Sequence, residues 1–179
     1  MVEEARLVST ENGLVPQGDG WFVVNAREAR WWEADAFDRF CTFQGDARFP
    51  EVGFNISVLL PGRPGCMYHG EDTQEGFLVL AGECLLLVEG EERRLRAWDF
   101  FHCPAWTEHV MVGAGEGPCV VVAVGARRPG SKVIYRRNEV AEAHGASVLA
   151  TTDSGKEAYA RFPEAIERPY REGDLPSWY

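Results

Sequence analysis

The stretch that decides the fold reads Tyr68-His69-Gly70-Glu71-Asp72-Thr73-Gln74-Glu75. His69 and Glu71 are two residues apart, so on a β-strand their side chains point to the same face. Glu75 follows after a gap long enough for a turn. The stretch therefore predicts an imidazole and a carboxylate on one strand face, with a second carboxylate close behind.

A second stretch further along the chain reads Pro104-Ala105-Trp106-Thr107-Glu108-His109. Its proline marks a turn, so we expect His109 to belong to a separate strand. Two imidazoles and one or two carboxylates that converge inside a β-barrel make a metal site. We therefore predict one divalent metal ion, bound by the residues His69, Glu71, Glu75 and His109.

The centre of the chain, residues 51–130, predicts a set of short strands. Val52–Leu60 alternates in polarity and ends at a Pro-Gly pair. Glycines and prolines separate the apolar runs that follow, which are Phe77–Leu80, Cys84–Val88, Asp99–His102, His109–Val112 and Val120–Val124. Many short strands at close spacing indicate an all-β sandwich or barrel.

The two flanks, residues 1–50 and 131–179, differ in character from this centre. In the N-terminal extension we predict a short strand at Trp21–Val24 and a helical turn through Ala26–Arg30, capped by Asn25. Five aromatic residues follow, either covering the core or closing a substrate pocket; they are Trp31, Trp32, Phe37, Phe40 and Phe43.

The C-terminal extension predicts two short helices and an arm. Asn138–Gly145 begins with a capping residue and ends with a glycine, and Ser154–Arg161 is the second helix. Arg168–Tyr179 is rich in proline but carries aromatic residues. We expect it to be an ordered arm that packs on its own barrel or on a partner subunit.

The centre resembles the cupin superfamily. In the first cupin motif, His69 takes the first His position, Glu71 stands where a second His is expected, Glu75 takes the Glu position and Gly82 the closing Gly. In the second motif the positions Asp99, Pro104 and His109 fall in register, while two glycines are replaced by Trp98 and Trp106.

The resemblance implies a single cupin barrel, that is, a double-stranded β-helix or jelly roll, with short helices in the N- and C-terminal extensions. The chain as a whole is similar to single-barrel bacterial cupin proteins. It also implies that His69, Glu71, Glu75 and His109 point into the barrel. Two imidazoles and a carboxylate suit Fe(II), and Zn²⁺, Mn²⁺ or Ni²⁺ accept the same atoms.

Glu71 is the departure from the cupin pattern, and its role stays open at this point. It is expected to be a metal ligand and is the candidate catalytic residue; if it is not a ligand, it could serve as a general base or orient a bound water. The alternative is that Glu71 faces solvent while the two histidines satisfy hydrogen bonds in the core. Cys66 is expected on the strand face opposite His69, and Cys103 is expected to be structural.

These residues predict a metal-dependent enzyme that acts on a small organic molecule in the barrel. A dioxygenase is the simplest case, and isomerase or decarboxylase chemistry would use the same site. The alternative is a non-catalytic barrel that binds or senses a small molecule and holds a structural metal.

Composition limits which binding partners and which cellular compartment we expect for the protein. The formal charge is −10, which argues against nucleic acid and anionic membranes. The acidic N-terminus has no apolar core typical of a signal peptide, and five cysteines form no Cys-x-x-Cys pair. We therefore expect reduced thiols and a cytoplasmic location. We also expect a homodimer, because single barrels commonly pair and the aromatic-rich flanks offer surface for it.

Overall fold

The structure is a computed structural model that describes residues 1–177. Trp178 and Tyr179, the end of the predicted arm, lie outside the described residues. The described strands are β1 Arg6–Thr10, β2 Gly13–Gln17, β3 Trp31–Glu33, β4 Arg39–Cys41, β5 Val52–Leu59, β6 His69–Glu71, β7 Glu75–Ala81, β8 Glu83–Val88, β9 Glu91–Arg96, β10 Phe100–Cys103, β11 His109–Ala114, β12 Cys119–Ala126, β13 Val133–Tyr135 and β14 Ile166–Arg168. The described helices are α1 Glu139–Ala143 and α2 Gly155–Ala158.

Two antiparallel sheets face each other across the core. The larger has the order β10-β7-β12-β5-β4-β3-β14, and the smaller has the order β13-β6-β11-β8-β9. Between them lies an apolar cluster that includes Leu59, Val79, Leu86, Met111 and Val121. The predicted all-β jelly-roll fold is confirmed. β1 and β2 form a separate hairpin.

The tight turns of the barrel have left-handed backbone angles, even at positions where the cupin motif has glycine and this chain has another residue. At Gly82 the φ angle is +74°, and an added Cβ would lie 2.4 Å from the carbonyl oxygen of Pro118. Trp98 and Trp106, which stand where the cupin motif has glycine, have φ angles of +76° and +67°. A positive φ angle at a residue other than glycine costs on the order of 1–3 kcal/mol. The surrounding fold must therefore stabilise these backbone conformations at the two tryptophans.

The capping residues lie where they were predicted, but one predicted strand of the N-terminal extension does not form. Asn138 Oδ1 accepts a hydrogen bond from the Ala141 amide at the start of α1, as predicted. Asn25 begins a single hydrogen-bonded turn, as predicted: its carbonyl accepts from the Ala29 amide and its side-chain Oδ1 accepts from the Arg27 amide. The predicted strand at Trp21–Val24 is wrong: Trp21 forms one isolated bridge, and the residues after it pair with no strand.

The aromatic residues of the N-terminal extension divide between the two predicted roles. Trp31 is fully buried in a core cluster with Cys41 and Val58. Phe37 and Phe40 instead line the barrel cavity. This extension is therefore part of the larger sheet and also part of the cavity wall.

The C-terminal arm is anchored by a buried ion-pair network. Asp174 accepts two hydrogen bonds from Arg168, at 2.7 and 3.0 Å, and one from Arg39 at 3.1 Å. Arg39 and Arg168 also contact the carboxylate of Glu33. Burial raises the pKa of Asp174, but the bonds from Arg168 and from the backbone of Arg171 outweigh it and hold the pKa below its ordinary value.

This network joins the arm to the β3–β4 hairpin of the same chain, and β14 pairs with β3 beside it. No helix among residues 1–177 is long and apolar enough to cross a membrane. The homodimer and the cytoplasmic location stay predictions.

We expect Asp174→Ala to lower the free energy of unfolding by about 3–5 kcal/mol, because it leaves a buried arginine without its partner. Urea denaturation followed by circular dichroism measures this change. Glu172→Ala removes an exposed carboxylate two residues away and should change stability by less than about 0.5 kcal/mol. Equal effects of the two substitutions would show that the network does not hold the arm.

Candidate metal centre

The pairing of β6 with β11 brings the two imidazoles together. His109 lies directly opposite His69 in this antiparallel pair, and their ring centroids are 5.1 Å apart. Glu75 comes from β7 in the facing sheet. One ligand atom from each of His69, Glu75 and His109 lies within 4.8 Å of the other two, so the three side chains could hold a metal ion together.

Both histidines are oriented by the backbone. His69 Nδ1 lies 2.8 Å from the carbonyl oxygen of Met67, and His109 Nδ1 lies 3.1 Å from that of Thr107. A carbonyl only accepts, so in a neutral ring Nδ1 carries the hydrogen and Nε2 keeps its lone pair. This is the usual outer support of a metal-binding histidine, and it presents both Nε2 atoms as ligands.

Glu75 provides the clearest sign that a cation fits here. Its Oε2 atom is buried, has no hydrogen-bond partner among residues 1–177 and lies 3.6 Å from His109 Nε2. Burial, with the nearby charge of Glu71, raises the pKa of Glu75 to about 7, and His69 offsets this only in part. A buried carboxylate oxygen with no partner is costly, and a divalent cation would satisfy it.

The metal-free site has an uneven charge distribution. Burial, together with the charge of His69, lowers the pKa of His109 to about 4, so this ring is neutral near pH 7. Burial also opposes a charge on His69, but contacts with Cys66, Glu71 and the Met67 carbonyl favour the imidazolium and raise its pKa. A cation bound at Nε2 would take the place of that proton.

Glu71 lies beside the group of three and not within it. Its Oε1 is 3.7 Å from His69 Nε2, and the Thr73 hydroxyl lies 3.4 Å from Oε2. Its side chain is 34% exposed. The close contact with His69 is the largest cause of the lowered pKa of Glu71, and it outweighs the opposing effect of burial. Glu71 is thus ionised at the edge of the site, and its role as a ligand or catalytic residue stays a prediction.

Two cysteines flank the histidines, and one expectation is corrected. Cys66 Sγ lies 3.7 Å from His69 Nδ1, although the sequence placed Cys66 on the opposite face. The reason is that β6 begins only at His69, so strand alternation does not extend back to residue 66. Cys103 Sγ lies 3.5 Å from His109 Nδ1, and burial raises the pKa of this thiol to about 12. It remains a thiol, in keeping with a structural role.

The three candidate ligands open onto a cavity of about 670 Å³ inside the barrel. Its walls are mostly apolar and include Phe37, Phe40, Leu59, Phe77, Met111, Val121 and Phe162. Besides the candidate ligands, polar side chains also line it, among them Asp38, Asn55 and Ser57. Sequence reasoning missed this polar group. The alternation of Asn55 and Ser57 on β5 was the available signal, because it points both inward.

Comparison with known proteins identifies the central domain. Residues 55–125 match the family model described as Cupin domain, and this segment contains all four predicted site residues. No curated protein matches the chain. Residues 55–125 therefore form a cupin domain, and the resemblance to the cupin superfamily, which rests on the motifs in this segment, is confirmed.

Solved structures support the same fold. A protein from Acidithiobacillus ferrooxidans, provisionally described as a sugar phosphate isomerase, matches with a TM-score of 0.50 and 24% identity over 55% of this chain. The chain spans 64% of that protein's length. An RmlC-like cupin from Shewanella frigidimarina matches with a TM-score of 0.51 and 14% identity, over 60% of this chain and 91% of the other. At these identities the similarity concerns the fold alone.

We expect Glu75 to make the stability of the metal-free protein depend on pH. Its folded pKa of about 7 exceeds the ordinary 4.5, so its contribution is present below pH 4.5 and is lost as pH rises through 7. The free energy of unfolding of the wild type, relative to Glu75→Gln, should fall by about 3 kcal/mol across this window. Urea denaturation at several pH values in the presence of a chelator measures it.

Glu71→Gln is the matched control, because the pKa of Glu71 is shifted in the opposite direction to that of Glu75. The folded pKa of Glu71 is lowered, so its contribution is present above pH 4.5 and is lost as pH falls below that value. If the free energy of unfolding of the wild type and that of Glu75→Gln changed in parallel between pH 4.5 and 7, Glu75 could not be a buried carboxylate without a compensating partner.

Proposed function

We propose that this protein is a metal-dependent enzyme that acts on a small, largely apolar organic molecule held in the barrel cavity. The observation that carries the proposal is that His69, Glu75 and His109 form one ligand group and also line that cavity. Two imidazoles and one carboxylate are the ligand set of non-haem Fe(II) enzymes, and Mn²⁺, Zn²⁺ and Ni²⁺ are the alternatives.

Three protein ligands leave coordination positions open. A bound ion would supply Lewis-acid or redox chemistry at those positions. A metal with a purely structural role needs no such opening, and a closed shell is typical of structural sites. The open set of ligands beside a cavity therefore favours an enzyme over a barrel with a structural metal.

The chain's own residues define the substrate class. The phenylalanines Phe37, Phe40, Phe77 and Phe162 offer ring faces and exclude water. Of the lysines and arginines in residues 1–177, only Lys156 lines the cavity, and it is exposed. A phosphate group would need more positive charge than this, so an aromatic or aliphatic substrate suits the cavity better than a sugar phosphate. Dioxygenase chemistry is the simplest case, and isomerase or decarboxylase chemistry would use the same ligands.

Glu71 is the proton-transferring residue in this proposal. It is ionised near neutral pH, and its carboxylate stands 3.7 Å from His69 Nε2, next to the position a metal would take. The hydroxyl of Thr73 holds one carboxylate oxygen. The other oxygen is positioned to orient a water molecule or to accept a proton.

Metal binding is tested by loading the purified protein anaerobically with Fe(II), Mn²⁺, Zn²⁺ or Ni²⁺ and measuring bound metal by elemental analysis after dialysis. We expect one ion per chain. Glu75→Gln should weaken binding by more than about 100-fold, because even outer partners of a metal ligand are worth 10–100-fold. Glu164→Gln, which removes an exposed carboxylate at the cavity mouth, should bind like the wild type. A protein that stays empty with every ion would overturn the proposal.

Catalysis is tested with the Fe(II)-loaded protein by oxygen uptake in the presence of small phenols, thiols and keto acids. We expect Glu71→Gln to keep its metal and to lose about 10²–10⁴-fold in rate, the usual range for a lost general base. A loss of metal equal to that of Glu75→Gln would make Glu71 a ligand instead. Full metal occupancy with tight binding and no turnover of any substrate would favour the non-catalytic barrel.

A further inference from the structure

Asp38 is a buried carboxylic acid in the cavity wall that the metal site does not use. It lies just before β4, outside residues 55–125 that match the cupin family, and its residue surface is only 6% exposed. It lines the same cavity as the candidate ligands. Among residues 1–177, no lysine, arginine or histidine forms an ion pair with it.

The neighbours of Asp38 form a short polar strip on an otherwise apolar wall. The Ser57 side chain is near enough to the Asp38 carboxyl to lower its pKa. Ser57 Oγ in turn accepts a hydrogen bond of 3.1 Å from Asn55 Nδ2. Ser57 can therefore donate its only hydrogen to Asp38. One hydroxyl and the residue's own backbone leave acceptor positions of this cavity-lining carboxyl unused.

The chain satisfies another buried carboxylate very differently. Asp174, which is as buried as Asp38, is held by Arg168 and Arg39 and has a lowered pKa. Burial instead raises the pKa of Asp38 to about 7, against a smaller effect of Ser57. Burying an acid without a cationic partner destabilises the fold. The asymmetry indicates that the partner of Asp38 is a ligand that enters the cavity.

We propose that Asp38 is a substrate-binding residue, which accepts a hydrogen bond from a hydroxyl or ammonium group of the substrate while the cavity phenylalanines contact the apolar body. This inference rests on the proposed function, because it takes the cavity to be the substrate site. It narrows the substrate class to small apolar molecules that carry a hydrogen-bond donor.

The test uses two isomers of one formula and a charged analogue. Benzyl alcohol donates a hydrogen bond, anisole has the same atoms but only accepts, and benzylamine is cationic at pH 8. Their affinities are measured by NMR chemical-shift titration of the metal-free protein at pH 8, where Asp38 is mostly ionised. We expect benzyl alcohol, benzylamine or both to bind at least about fivefold more tightly than anisole. The stronger of the two identifies a hydroxyl or an ammonium as the preferred group.

The preference should depend on Asp38 alone. Asp38→Asn should bring the three affinities within about twofold of one another, while Glu164→Gln at the cavity mouth should keep the wild-type ratio. General damage to the cavity would weaken all three probes together and leave their ratio unchanged. If Asp38→Asn does not fold, the comparison of the isomers in the wild type still decides the matter, because benzyl alcohol and anisole differ only in the hydrogen-bond donor.

Three outcomes would overturn the inference: equal binding of anisole and both donors, a preference that persists in Asp38→Asn, or no binding of any probe. The assay contains no metal. Failure to bind metal or to turn over a substrate would therefore remove the proposed enzyme activity without changing this measurement, so the two failures are distinguishable.

Discussion

The candidate metal centre depends on one cross-strand pair, His69 opposite His109. Side chains alternate along a strand, so a slip of one residue between β6 and β11 would turn one imidazole out of the barrel. β6 is only three residues long and pairs with β11 at this single position. The register must therefore be fixed from its other edge.

That edge belongs to the C-terminal extension. β13 pairs with all three residues of β6, and the Tyr68 amide just before the strand donates to the carbonyl of Ala146. Both partners lie beyond residues 55–125, which match the cupin family. The extension therefore does more than cover the barrel: it holds in register the strand that carries His69 and Glu71.

Of the four residues predicted from the sequence, the structure brings three together, His69, Glu75 and His109, and leaves Glu71 beside them. The spacing of His69, Glu71, Glu75 and His109 fixed their strands, because a two-residue period and a proline turn are local signals. The cap at Asn138 predicted α1 for the same reason. These signals do not require knowledge of any distant contact.

What was missed depends on contacts between distant parts of the chain. β14 exists because Ile166–Arg168 pairs with β3, far away in sequence. Trp21–Val24 has the composition of a strand, but apart from the single bridge of Trp21 to Glu4 it pairs with no strand among residues 1–177. Cys66 was placed wrongly because the start of β6 is set by tertiary pairing. Asp38 gave no local sign, since an acid beside aromatic residues is equally compatible with an exposed turn.

Two acids, Glu75 and Asp38, share one cavity, and the structure provides a lysine or arginine partner for neither. A divalent ion held by Glu75 would neutralise that carboxylate and leave positive charge at the histidine end of the cavity. Asp38 would then be a negative centre in the wall of the same cavity. Such a cavity disfavours the binding of a molecule that carries negative charge at both ends. It favours one whose electron-rich group faces the metal and whose donor faces Asp38, so the two buried acids together would set the orientation in which a substrate enters.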